Sequence, residues 1–291
     1  MQKFYYVQTG HRIGLDRFRR ALAILNILQD DDTTLLCSDF RIAHEARGMG
    51  VKNSVGIDVV RNIVNIANRG DKLIFDSDEA NLIMLEDMRS YFSTFVRISD
   101  NPSDKRADNE FLISAYYKDE LTCNCTIIDD KYFKQFDKTI DIGFFFGDDD
   151  YEKDLMRHIN FIEDIDAVLL LGYYYFLDYE DELKQRFKIT YEFDDYDKFI
   201  TSCGILITAS PQAALQCLAS GGMPIYFQRE DYSTKYFELF KSLNIPIINN
   251  YNKDRLNEIL MNPKDYNPKK LYQNRDRLLA YMRNISRFYQ D

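Results

Sequence analysis

The sequence predicts an α/β fold built from two parallel sheets covered by helices. Short runs rich in β-branched and aromatic residues recur along the chain, helical patterns separate them, and the rhythm pauses once, in a polar passage near the middle. The 291 residues, 45% of them apolar, suffice for two ordinary domains with sizeable cores.

Strands are expected at residues 4–8, 34–37, 72–75 and 95–98, then at 142–146, 167–171, 187–191, 204–208 and 224–227. The pause, TIIDDKYFKQFDKTID, puts a domain boundary near residue 135, giving domains 1–135 and 136–291. A Pro- and Lys-rich connector, residues 263–270, leads to a terminal helix over 271–289 whose basic face carries Arg275, Arg277, Arg283 and Arg287. That helix is expected to pack back across the hinge.

Directly after the first strand, IGLDRFRRALAILNIL sets a Gly14 turn and Asp16 before a helix that opens with Arg17, Arg19 and Arg20. A helix N-terminus offers unpaired N–H groups and partial positive charge, and guanidinium groups suit anions, so this is a candidate phosphate site. Alternatively, Leu15, Phe18, Ala21, Leu22 and Leu25 form the buried stripe and the arginines are its solvated face.

A second candidate is GILITASPQAALQCLASGGMPIYF. Ser210 reads as an N-cap, Pro211 as the first helical residue, and Gly221 or Gly222 as the close of a helix running to about Ser220. The helix N-terminus, with Ser210 and Gln212, would face a ligand at the carboxyl edge of the sheet. In FFFGDDD, Gly147 and three aspartates follow a buried strand. Asp148 and its neighbours would contact a ligand or merely cap the next helix, with mutual repulsion favouring solvent exposure.

Of three histidines, His11 follows the first strand and is the best placed for acid or base work. His44 and His158 lie on helical patterns and read as structural, and the acidic clusters at 30–32 and 194–197 as solvated loops. The five cysteines lack paired CxxC motifs, so packing thiols are expected and no metal site. TCNCTII reads as an alternating strand with Cys123 and Cys125 on one face, a possible redox or metal pair.

The formal net charge of -10 disfavours a nucleic-acid partner. No run approaches the ~20 apolar residues of a membrane span, and the N-terminus MQKFYYVQTG lacks an apolar signal core, so no integral membrane segment and a cytoplasmic location are expected. No GxSxG, P-loop, HExxH or GxGxxG occurs.

Together these segments resemble the UDP-sugar hydrolase of pseudaminic acid biosynthesis, a relative of the peptidoglycan N-acetylglucosaminyltransferase with the GT-B fold. That family's first loop reads roughly IGxGHxxRxLxLA, and Ile13, Gly14, Arg20 and Leu22 fall in register with it. KLIFDSDEAN places Asp76 at the end of a matching strand, RISDN (residues 97–101) resembles the next strand and its acidic turn, FFFGDDD corresponds to a Gly-Gly-Thr loop, and SPQAALQ to the segment that contacts the nucleotide. The family's catalytic histidine falls on Arg17, the glycine before it on Asp16, the second glycine of the later loop on Asp148, and a ribose-binding glutamate on Leu215. Arginine, with a pKa above ~12, cannot act as a base near neutral pH, and leucine cannot accept a hydrogen bond.

The resemblance therefore implies a GT-B-like fold: two Rossmann-like domains, acceptor side first and nucleotide side second, with a cleft between them. It implies a nucleotide-sugar-dependent glycosyltransferase of bacterial surface or flagellar glycan synthesis rather than the hydrolase. The donor would be UDP- or CMP-linked and the acceptor a glycan or protein, with no further cofactor. Arg17 and Arg20 would neutralise the leaving phosphate, and His11, Asp16 or Asp148 would activate the acceptor. The alternative is a pseudoenzyme that binds a sugar, nucleotide or protein without turnover.

Overall fold

A computed structural model describes residues 1–29 and 32–285; Asp30, Asp31 and Arg287 lie outside the described residues. The chain divides into two compact units. The first comprises Met1–Gly10, Arg17–Asp130 and the described residues from Asn274 onward; the second comprises His11–Asp16 and Lys131–Gln273.

In chain order the elements are β1 (Lys3–Val7), α1 (Asp16–Leu28), β2 (Thr33–Cys37), α2 (Phe40–Gly48), β3 (Asn53–Gly56), β4 (Lys72–Asp76), α3 (Leu82–Tyr91), β5 (Thr94–Ser99), β6 (Phe111–Ser114) and β7 (Thr122–Asn124). These seven strands form one sheet, ordered β3-β2-β1-β4-β5-β6-β7, with parallel pairing throughout. The order reverses between β1 and β4, so the loops after Val7 and Asp76 share one edge of the sheet.

The second unit continues with β8 (Ile140–Phe145), α4 (Asp154–Arg157), β9 (Val168–Leu170), α5 (Leu177–Lys184), β10 (Thr190–Tyr191), α6 (Tyr196–Ser202), β11 (Cys203–Thr208), α7 (Pro211–Ala219), β12 (Met223–Phe227), α8 (Phe237–Ser242), β13 (Ile247–Ile248) and α9 (Lys253–Met261). Its sheet is ordered β10-β9-β8-β11-β12-β13, again all parallel, and reverses between β8 and β11. Two Rossmann-like domains, each a parallel sheet with connecting helices, match the expected fold class.

The last helix, α10 (Arg275–Ile285), returns to the first unit. The Tyr281 hydroxyl donates to the carbonyls of Leu112 and Leu121 at 3.1 and 2.7 Å, and Arg277 donates to that of Asn124 at 2.6 Å. This helix begins four residues later than its apolar pattern suggests; the Asn274 backbone carbonyl accepts the Leu278 N–H, and its side-chain amide donates to the Thr126 carbonyl.

Burial explains the strands. Tyr5, Tyr6 and Val7 of β1 are wholly inaccessible, as central parallel strands require. In the second unit Phe144 stacks on Phe187 and Phe227 at ring separations of 6.0 and 5.7 Å. Phe144→Ala is expected to cost about 3–5 kcal/mol in urea unfolding, through lost transfer energy plus the cavity left behind. A loss below about 1 kcal/mol would mean that this stack does not hold the second sheet's core.

Candidate functional site

Open parallel sheets bind ligands beyond the carboxyl ends of their strands, where strand order reverses. In the second unit that edge carries the loop after β8, with Gly147 to Asp150, and the N-terminus of α7 after β11. The Ser210 side chain caps α7 by accepting the Ala213 N–H at 3.0 Å, and Pro211 at the first helical position needs no partner for a missing donor. The next backbone donor, the Gln212 N–H, is held by a carboxylate: Asp16 accepts it at 3.2 Å and accepts the Ser210 hydroxyl at 2.6 Å. The place that local sequence rules mark as an anion site therefore holds an anion from the chain itself.

The same His11–Asp16 segment fixes the neighbouring loop. Gly14 has φ +75°, and a Cβ there would lie 2.9 Å from Oδ1 of Asp149, so both backbone conformation and space require glycine. Gly147, at φ +133°, leaves room for Arg229 and Tyr232 at 3.2 Å from where its Cβ would stand.

Arg229, directly beyond β12, is the largest buried charge in this cluster, with its side chain 2% exposed. Its guanidinium donates to the Asp149 carbonyl at 2.6 Å and to both carboxylate oxygens of Asp231 at 2.9 and 2.5 Å. It also lies over the rings of Phe146 and Tyr232, at 4.6 and 4.2 Å from their centroids. Burial alone would lower its pKa, but Tyr232, Asp149 and Asp231 outweigh burial and hold it as a cation.

The three aspartates after Gly147 are buried rather than exposed, contrary to the repulsion argument. The carboxylates of Asp149 and Asp150 have separate partners, and Asp148 is bonded through its backbone. Asp150 caps α4 by accepting the N–H groups of Asp154 and Leu155 at 2.7 and 3.1 Å, the Asp149 carboxylate accepts the Tyr232 hydroxyl at 2.5 Å, and the Asp148 carbonyl accepts the Tyr174 N–H at 2.8 Å. Burial pushes the Asp149 carboxyl up to about 6, with Arg229 and the Tyr232 hydrogen bond opposing.

In the first unit, the arginines of α1 turn to their own sheet. Arg20 is buried and makes a bidentate pair with Asp76 at 2.9 and 2.5 Å, while its third nitrogen reaches Asp100 at 2.5 Å. Arg17 donates to the Gln8 side chain at 3.2 Å, pairs with Asp78, and lies 3.7 Å from Asp76. Two cations thus meet three carboxylates, and Arg20 is not on a solvated face. Burial pushes the Asp76 carboxyl up, with Arg20 and Arg17 opposing.

Of the residues singled out in the sequence, the second unit brings together Gly14, Asp16, Gly147, Asp148, Ser210 and Gln212. Arg17 and Arg20 belong to the first unit's sheet edge. His11 is exposed, its ring 5.2 Å from that of Tyr151. Sequence reasoning passed over Arg229 and Tyr232; the signal was a charged run, QRED, immediately after a buried strand. Among the described residues no group of three or more His, Cys, Asp or Glu side chains is disposed to hold a metal ion, and no helix is long and apolar enough to cross a membrane.

The chain is similar in fold to solved nucleotide-sugar enzymes. The spinosyn rhamnosyltransferase SpnG complexed with thymidine diphosphate aligns over 98% of this chain and 92% of its own, at TM-score 0.56 and 9% identity. HepE of Anabaena in complex with UDP-glucose aligns over 99% and 94%, at TM-score 0.57 and 12% identity. The UDP-GlcNAc 2-epimerase of Methanocaldococcus jannaschii, with UDP-GlcNAc and UDP, aligns over 99% and 100%, at TM-score 0.61 and 10% identity. At such identities the likeness establishes the GT-B fold. No protein-family model and no curated protein matches the sequence.

Because the folded chain holds the Asp149 proton more tightly than an unfolded chain, that group's contribution is full below its ordinary 3.8 and is lost as the pH rises through about 6. The difference corresponds to about 3 kcal/mol. In urea unfolding, wild type is expected to lose about this much relative to Asp149→Asn between about pH 4 and pH 7. A pH-independent difference between the two would show that the carboxyl is ordinary.

Proposed function

We propose that this chain is a nucleotide-sugar-dependent, glycosyltransferase-like protein whose donor diphosphate binds at the N-terminus of α7. The observation that carries this reading is the pair of hydrogen bonds from Ser210 and Gln212 to the Asp16 carboxylate. A capped helix end at a strand-order reversal that already holds one anion has the donors and the field to hold another. Gly147 supports the reading, because a glycine at positive φ lets a loop backbone approach a ligand closely. The similar enzymes named above were solved with thymidine diphosphate, UDP or UDP-sugars, which supports a nucleoside-diphosphate donor over a CMP-linked one.

On this reading the diphosphate displaces Asp16. The released carboxylate, with Asp148 or His11, is the group available to take the acceptor's proton. The acceptor is proposed to be a surface or flagellar glycan, or a protein.

A second reading, binding without turnover, is favoured by one observation: both predicted anion sites are met by carboxylates of the chain itself, Asp16 at α7 and Asp76 with Asp100 at Arg20. Release of free nucleotide from a panel of UDP- and CMP-sugars in the presence of glycan and protein acceptors separates the two readings, since a binding protein releases none.

Removing the resident anion leaves the donors of α7 free for a phosphate. Asp16→Ala is therefore expected to tighten UDP binding about tenfold in isothermal titration calorimetry, an effect of the size expected for an anion at a helix N-terminus with its hydrogen bonds. Unchanged or weaker UDP binding by the variant would remove α7 as the diphosphate site.

A further inference from the structure

Two of the five cysteines stand apart from the rest. Cys123 in β7 and Cys125 just beyond it lie on one face of the strand, as alternation requires, with their sulfurs 3.4 Å apart. β7 is the three-residue edge strand of the first sheet, paired on one side only, to β6. The Arg277 guanidinium of α10 donates to the carbonyl of Asn124, the residue between the two cysteines, which sets a cation beside the pair.

We propose that Cys123 and Cys125 form a redox-active dithiol that closes reversibly to a disulfide on reaction with a low-molecular-weight disulfide of the glutathione class. Chemistry distinguishes Cys123 from the other thiols; the Cys125 thiol is itself pushed up by its hydrogen bond to Cys123 and by burial, which suits it to the second, resolving step only. The hydrogen bond between the two sulfurs and the Arg277 cation hold the Cys123 thiol below its ordinary pKa although burial opposes this. Burial instead pushes Cys37 and Cys217 each up to about 12 and raises Cys203 further, so those three are poor nucleophiles.

In the first step the Cys123 thiolate attacks one sulfur of the disulfide, forming a mixed disulfide and expelling one thiolate. In the second, Cys125 loses its proton to solvent and its sulfur attacks that of Cys123, expelling the other thiolate. The protein gives up two electrons and two protons; the low-molecular-weight disulfide becomes two thiols.

Geometry makes the bond feasible and reversible. With a rise of about 3.3 Å per residue, residues two apart on a strand have Cα atoms about 6.6 Å apart, near the upper limit for a disulfide. Bonds formed at that limit are strained and readily reduced. Both thiols are buried, and a short edge strand is the kind of element that opens locally to admit a reagent.

The test is equilibration of the folded protein in glutathione buffers of increasing oxidised fraction, alkylation of the remaining thiols, and mass analysis of the tryptic peptide spanning residues 119–131. The expected result is loss of both alkylations on that peptide with no glutathione attached, restored by dithiothreitol, while Cys37, Cys203 and Cys217 stay alkylatable after denaturation. In Cys125→Ser, Cys123 should retain one glutathione. Two free thiols, or stable glutathione adducts on the wild-type peptide, at ratios that oxidise a reference dithiol would overturn the proposal.

Discussion

The second unit turns on the contact between a helix end and a carboxylate. A helix that starts at the carboxyl edge of a parallel sheet leaves backbone N–H groups and partial positive charge at that edge, and burial makes leaving them unanswered costly. Here Ser210 answers one and Asp16 another. Holding Asp16 in place also holds the loop before it, and that loop needs a glycine at 14 because Asp149 fills the space a side chain would take. Asp149 is fixed in turn by Tyr232 and by Arg229, which bonds its carbonyl.

The first unit shows the same economy of charge. An acidic chain with arginines on its first helix could direct them outward to a phosphate, yet Arg20 is buried against Asp76 and Asp100. A buried ion pair is weak evidence for stability, because desolvation offsets the attraction, but breaking one leaves an uncompensated charge. These arginines are therefore part of the sheet edge before they are part of any ligand site. A nucleotide that bound here would exchange partners with the protein rather than enter an open, positively charged pocket.

Much of the fold was legible because its signals are local. The apolar runs, the Ser210 cap, Pro211 and the terminal helix are each set by neighbours a few residues away, and the structure bears out two Rossmann-like domains. Strands β3, β6 and β13 escaped notice; β3 and β13 lie at sheet edges, where pairing on one side only leaves a weaker apolar pattern. The site was legible in its parts and not in its pairings. Asp16 meets Ser210 across 194 positions and Arg229 meets Asp149 across 80, and no local rule links residues so far apart. The buried aspartates were misjudged for the same reason: mutual repulsion argues for exposure only until Tyr232, Arg229 and the N-terminus of α4 supply separate partners.

The most direct measurement is the amide resonance of Gln212 during titration with UDP. This signal is expected to shift saturably as the diphosphate replaces the Asp16 carboxylate, and in Asp16→Ala to reach the nucleotide-bound position only after nucleotide is added. A Gln212 resonance that stays fixed while UDP saturates the protein would place the ligand elsewhere and contradict the account.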